Sequence, residues 1–443
     1  MKLKSLWLSL LSLVIVFSLV GCSPEASTSE ARKTGDGKIK VTFWHAMNGT
    51  PGDLIKSMVD KYNASQSKYF VEASYQGTYE EALTKLKAVG GTKEAPTIMQ
   101  AQEIATKYMI DSGFVQPVQD FIDKDNYDLS KLEENILGYY QVNGKLYSMP
   151  FNTSNSILFY NKDKFKAAGL DPENPPTTYA EIREAAKKLT NSNDKGFSLV
   201  IYGWFVEQLL ANQGADMVDH GNGRDALATK SLLDSKQSLE IFKWLDDMNK
   251  DGSIGNYGRK FDDVRAAFRA GKVAMFLDST AGTPGNVKDV PFQVGTAFMP
   301  SPDGKNNGVI VGGASLWIMN SVAEEEKEGA WDFMKFMTQP ETQAEWAAGT
   351  GYFPITKAAY DQQVLKDTYA KYPQFTTAVK QLQQTKLSSA TKGALISVFP
   401  EARLEVATAI ERVYKGEDPQ KVVDELNKKV TGLIEENNKV SQK

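Results

Sequence analysis

A chain of 443 residues with one cysteine, two histidines and a formal charge of −4 excludes several classes at the outset. Mild acidity with no basic block argues against nucleic acid as a partner, and a single cysteine leaves no disulfide framework. The length is too great for one small core and suits two lobes. At the start, Lys2 and Lys4 precede an unbroken apolar run from Leu6 to Val20 that ends in Gly21 and Cys22. That run is shorter than the ~20 residues of a spanning helix. A basic start, an apolar centre and small residues before a cut predict a secretory signal over 1–21. Its removal takes away Lys2 and Lys4 and leaves a charge of about −6. No later stretch is long and apolar enough to cross a bilayer.

The Ser, Thr, Glu, Lys and Gly of 23–38 have no apolar face to bury, so 22–37 reads as a flexible tether. An alternating strand follows at Ile39–Trp44, then a turn through Asn48–Gly52 and a helix carrying Leu54, Ile55, Met58, Val59 and Tyr62 at helical spacing. Phe70–Tyr75 is a second strand, Tyr79–Val89 a second helix, and Thr97–Gln100 a short third strand. Alternation with brief connections predicts an α/β fold with mostly parallel sheets flanked by helices. After Pro175 and Pro176, Thr178 caps a helix over Tyr179–Leu189. Helical patterns cover Ser231–Lys250, Asp262–Ala270, Ala323–Thr338 and Pro419–Glu436. Strands are read at Val273–Leu277 and Gly308–Met319. The layout predicts two lobes joined by several crossings, with a ligand cleft between them.

The inventory of reactive groups is poor. His45 and His220 do not lie in a metal-ligand spacing, so no metal or cofactor is predicted. There is no G-x-S-x-G elbow, no P-loop and no catalytic cysteine. A paired-carboxylate glycosidase is left open by sequence alone; two cleft carboxylates at about 5–9 Å would favour it. Binding without turnover is the favoured reading.

Several segments carry a family resemblance. Small residues directly before Cys22 resemble the lipobox of bacterial lipoproteins, which implies an acylated Cys22 and a lipid-anchored protein on the outer face of the cell membrane. Phe43–Met47, Pro150–Ser154, Leu158–Asp163 and Ala168–Pro172 resemble the solute-binding lipoproteins of ATP-driven importers, in the branch that also holds maltose-binding proteins. The resemblance implies a two-lobed binding-protein fold, a small-molecule ligand and permease subunits as partners. It implies lobes of 38–152 plus 279–345 and of 153–278 plus 346–443. Gln76–Glu80, Gln100–Glu103, Tyr257–Lys260, Val311–Trp317 and Thr350–Tyr360 are similar to the glycerol-3-phosphate-binding members. Residue by residue, this implies a ligand shell of Tyr79, Glu103, Ser154, Trp204, Ser279, Gly313, Tyr352 and Arg403. Glu103 would take the glycerol hydroxyls, and Tyr79, Ser154, Ser279, Tyr352 and Arg403 the phosphoryl end. One departure stands out: the family has a second tryptophan where this chain has Ile201, with Tyr202 beside it. The neutral-oligosaccharide reading is the alternative on the same scaffold.

Each residue type suits its implied role, and each has a plainer reading. A carboxylate accepts two hydroxyl donors at once, yet Glu103 could equally be an acid at a helix N-terminus. Arginine grips phosphate bidentately, yet Arg403 could form a surface pair on its helix. Gly312 and Gly313 suit a backbone approach to an anion or a tight bend in a strand. Trp204 could stack on a ligand or fill the core.

Overall fold

The computed structural model describes residues 30–288 and 290–441. The signal segment 1–21, Cys22 and its expected acylation lie outside the described residues. Two sheets organise the chain. The first runs Tyr69–Tyr75, Ile39–His45, Ile98–Gln102, Gly312–Met319, Val115–Gln116, with Met149–Ser154 also paired to Gly312–Met319. The second runs Ile254–Gly255, Lys195–Leu199, Val273–Ser279, Ser156–Asn161, Val294–Ala297. The chain crosses between them at Asn155, which is wholly buried.

Helices pack on both faces of the first sheet. Val41, Phe43 and Ile98 share a core with Ile55, Met58 and Tyr62 of the helix Gly49–Ser65. On the other side, Met99 and Trp317 pack with Leu83 and Leu86 of the helix Tyr79–Val89. Burying side chains of this size stabilises the fold by roughly 1.5–3 kcal/mol each. Helix starts follow local chemistry. Thr78 and Thr178 each form a capping box, with Glu81 and Glu181 reaching back.

Four expectations need correction. The sheets are mixed rather than mostly parallel. The strands Ile39–His45, Tyr69–Tyr75 and Ile98–Gln102 pair in parallel, whereas Gly312–Met319 is antiparallel to all three of its neighbours. Ser156–Asn161 is likewise antiparallel to both of its partners. Those strands are buried almost throughout, and a continuous apolar run carries no information on direction. Second, Val294–Ala297 pairs with Ser156–Asn161, so this part of 279–345 belongs to the second sheet, not the first. Third, the helix expected over Ser231–Lys250 begins at Lys236, because Ser235 caps it and Ser231 pairs with Val218 instead. Fourth, the end of the expected tether is docked. Lys33 bridges Ile39, and the Arg32 guanidinium reaches Glu326 at 2.5 Å and Thr97 at 3.0 Å. Glu326 is 2% exposed; a buried carboxylate needs such a partner, and Arg32 supplies it.

Candidate functional site

Strand ends of both sheets meet at a cleft of about 500 Å³, within the usual range for small-molecule sites. All eight residues of the implied shell line it. Glu103 follows the strand Ile98–Gln102, Ser154 ends Met149–Ser154, and Ser279 ends Val273–Ser279. Carboxyl ends of strands are where α/β sheets collect ligands. Tyr79 and Trp204 open their helices, Arg403 lies one turn into Phe399–Tyr414, and Tyr352 follows the left-handed cap Gly351. Ser279, rather than the neighbouring Thr280, borders the cleft.

Glycine is required where the strand Gly312–Met319 enters the cleft. Gly313 has φ +101°, and a Cβ there would meet the Asn152 carbonyl oxygen at 1.8 Å. A Cβ on Gly312 would meet the Trp204 ring at 2.6 Å. The pair therefore lets the indole lie directly against the backbone.

Arg403 does not point a free fork at the cleft. Its Nε and Nη2 donate to the two Glu207 oxygens at 2.7 and 2.6 Å, and its Nη1 pairs with Glu103 at 2.7 Å. All three side chains are nearly inaccessible. Two carboxyl groups share one cation. Burial pushes the Glu103 carboxyl up to about 7, with Arg403 opposing the rise and Glu207 adding to it. Burial alone would lower the Arg403 guanidinium, but Glu103 and Glu207 hold it well above its usual range. Arg403 lines the cleft as expected, and Glu207 occupies its Nε–Nη2 edge, the edge suited to a bidentate grip on a phosphoryl group.

Tyr202 fills the wall left by Ile201. Its hydroxyl accepts from Gln102 at 2.7 Å, and its ring centroid lies 5.4 Å from the Arg403 guanidinium. Ile201 itself is core. The hydroxyls of Tyr79 and Tyr352 gather near the Asn152 amide, which donates to Tyr79 at 2.8 Å. Burial raises both phenols, so both keep their protons and can donate. Glu103 Oε2 and the Trp204 indole N–H are buried with no hydrogen-bond partner among the described residues. Such groups cost about 1–3 kcal/mol each when left alone, and they offer an acceptor and a donor to whatever enters.

Arg265 also lines the cleft. Its Nε and Nη2 clamp Asp278 at 2.8 and 3.0 Å. Asp278 also accepts from the Ser279 amide and from Asn286. Neither histidine borders the cleft. His45 is buried, which holds it down to about 4, and its Nδ1 accepts from the Met47 amide.

Sequence reasoning missed Glu207, Arg265 and Gln102. A signal existed for Glu207: it is the one charge in the helix Trp204–Asn212, all of whose residues are buried. A charge inside such a segment demands a partner.

Comparison with known proteins bears on these features. The model of the bacterial extracellular solute-binding protein family matches residues 57–377. Among curated relatives, the sn-glycerol-3-phosphate-binding periplasmic protein UgpB of Escherichia coli (strain K12) is 35% identical over 395 residues, covering 87% of this chain and 90% of the relative. UgpB of Yersinia enterocolitica is 35% identical over 401 residues, with the same coverage. Among solved structures, UgpB from Mycobacterium tuberculosis in complex with glycerophosphocholine has a TM-score of 0.79 at 21% identity, covering 91% of this chain and all of that one. The cyclic alpha-maltosyl-1,6-maltose binding protein from Arthrobacter globiformis has a TM-score of 0.75 at 24% identity, covering 90% and 100%. At these identities the structural likeness speaks for the fold alone.

The fold and cleft define a two-lobed solute-binding protein, and the chain belongs to the bacterial extracellular solute-binding protein family. Within that family it is a substrate-binding protein of an ABC importer, similar to UgpB, and not an enzyme.

Proposed function

We propose that the cleft captures sn-glycerol-3-phosphate or a glycerophosphodiester and that the protein delivers it to the permease subunits of its importer. One observation carries the reading: the eight residues implied by the resemblance converge on a single cavity between the two sheets. The curated relatives that are 35% identical bind sn-glycerol-3-phosphate by name, which supports the same ligand here. In this reading the glycerol hydroxyls lie against Glu103, whose Oε2 is unpartnered, with Arg403 holding that carboxylate rather than the phosphate. The phosphoryl end lies among the hydroxyls of Tyr79, Ser154, Ser279 and Tyr352 and beside Gly313. A micromolar ligand needs about 8 kcal/mol. Charge-assisted hydrogen bonds at roughly 1.5–3 kcal/mol each supply the gross amount before ordering costs. Closure of the lobes around the ligand, with Val294–Ala297 moving as part of the second, would bury those bonds away from water.

The second reading is a neutral sugar, favoured by the aromatic wall of Tyr75, Tyr79, Tyr202, Trp204, Phe261 and Tyr352. Calorimetry on the chain beginning after Cys22, with sn-glycerol-3-phosphate, glycerophosphocholine and maltose, separates the two. Binding of the glycerol phosphates with no heat from maltose is the expected result; maltose binding alone overturns the proposal. The lipid anchor at Cys22 belongs to the same reading. Full-length protein should stay with membranes and a Cys22→Ala form should not; equal partitioning would remove the anchor.

A further inference from the structure

We propose that Arg265 is the residue that reads the negative charge of the ligand. This inference rests on the cleft being a polyol phosphate site, and it deepens that reading by naming the cation. A phosphoryl group needs positive charge near it, and the arginine implied by family resemblance is already committed. Arg403 spends three donors on two carboxyl groups, which leaves few for an anion beside it.

Arg265 is arranged differently. Its side chain is 18% exposed and borders the cleft. Asp278 engages only the Nε and Nη2 edge. Nη1 is left with a distant 3.8 Å contact to Asp262, whose side chain is 93% exposed and therefore screened by solvent. The guanidinium lies 5.1 Å from the Phe261 ring centroid, which limits its swing. Asp278 is in turn held by the Ser279 amide and Asn286, so the arginine is set before any ligand arrives. Tyr352 is close enough to interact electrostatically with it. Ser279 is next in the chain to Asp278. Arg265 thus interacts with one of the hydroxyls assigned to the phosphoryl end and is anchored on the residue preceding another. The other cations bordering the cleft are less suited. Arg259 is tied to Glu411 and Thr408, and Lys260 stands on the exposed rim.

The cleft lining thus combines a carboxylate for hydroxyls, hydroxyl donors, and a guanidinium edge for the anion. A neutral sugar gains nothing from that edge, and a dianionic monoester gains more than a singly charged diester.

The test is calorimetry of wild type, Arg265→Gln and Arg265→Lys with sn-glycerol-3-phosphate and with glycerophosphocholine. Removing Arg265 strands the Asp278 carboxylate, which is 1% exposed, so the paired variant Arg265→Gln/Asp278→Asn is measured too, and thermal melts report folding. For folded protein, Arg265→Gln or the paired variant should weaken the monoester by about 30-fold or more. The diester should weaken several-fold less, and Arg265→Lys should recover part of the loss. A change under about twofold for the monoester, or equal losses for both ligands, overturns the assignment and leaves the proposed function standing. If wild type binds neither ligand, the proposed function and this inference fall together.

Discussion

Two arginines face the same cleft and carry opposite lessons. Arg403 is the more deeply buried and is held by two carboxylates, whereas Arg265 has one close carboxylate, a second only at 3.8 Å, and borders the cavity. A guanidinium offers an anion only the donors its neighbours leave free. On the proposed reading, the buried arginine organises acceptors for hydroxyls, and the partly exposed one keeps Nη1 for a phosphoryl group. Burial and charge count, not residue type, separate the two roles.

Stability measurements can break this contrast. Arg403→Ala should cost about 3–5 kcal/mol in denaturant unfolding, because it leaves Glu103 and Glu207 buried without a countercharge. Arg265→Ala strands a single carboxylate and should cost less, about 1–3 kcal/mol. Equal costs would mean that the two ends are electrostatically alike.

The pH dependence sharpens it further. In the unfolded chain the Glu103 carboxyl releases its proton near the ordinary 4.5, while in the fold it keeps it to about 7. Between those values the folded state binds more protons, so the contribution of this group to stability is present below about 4.5 and is lost as pH rises to 7. The loss amounts to about 3 kcal/mol. Wild type should therefore weaken over that window relative to Glu103→Gln; parallel curves for the two proteins would refute the shift. The smallest effect is expected at the wall. Tyr202→Phe removes the hydroxyl that Gln102 donates to but keeps the ring, and should lower affinity less than about tenfold, from a loss of about 0.5–1.5 kcal/mol. A larger loss would make Tyr202 a direct ligand contact.

Local chemistry made much of the fold legible. The helices Tyr79–Val89 and Tyr179–Leu189 start and stop where the sequence puts them, because a threonine cap and an apolar stripe are both written into a dozen residues. Strand direction was not legible. Gly312–Met319 is buried on both faces and takes partners from three distant segments, and no local pattern encodes which way it runs. In the cleft, the residues carried by family resemblance were readable as positions, but their charge balance was not. Whether Arg403 is free depends on Glu207, which arrives from a helix 196 residues away in sequence. Arg265 was missed because only the fold sets the helix Phe261–Arg269 against the end of the strand Val273–Ser279 and places the guanidinium at the cavity.

The Arg32 to Glu326 clamp has a consequence for where the protein works. It pins the chain to the first lobe ten residues after Cys22. If Cys22 carries the acyl chains, the ten residues from there to Arg32 set an upper limit of about 35 Å on the distance between lipid and lobe, little more than the thickness of a bilayer's hydrocarbon core. A receptor on so short a leash meets its membrane partner at a high effective concentration, so the encounter needs no strong docking affinity of its own.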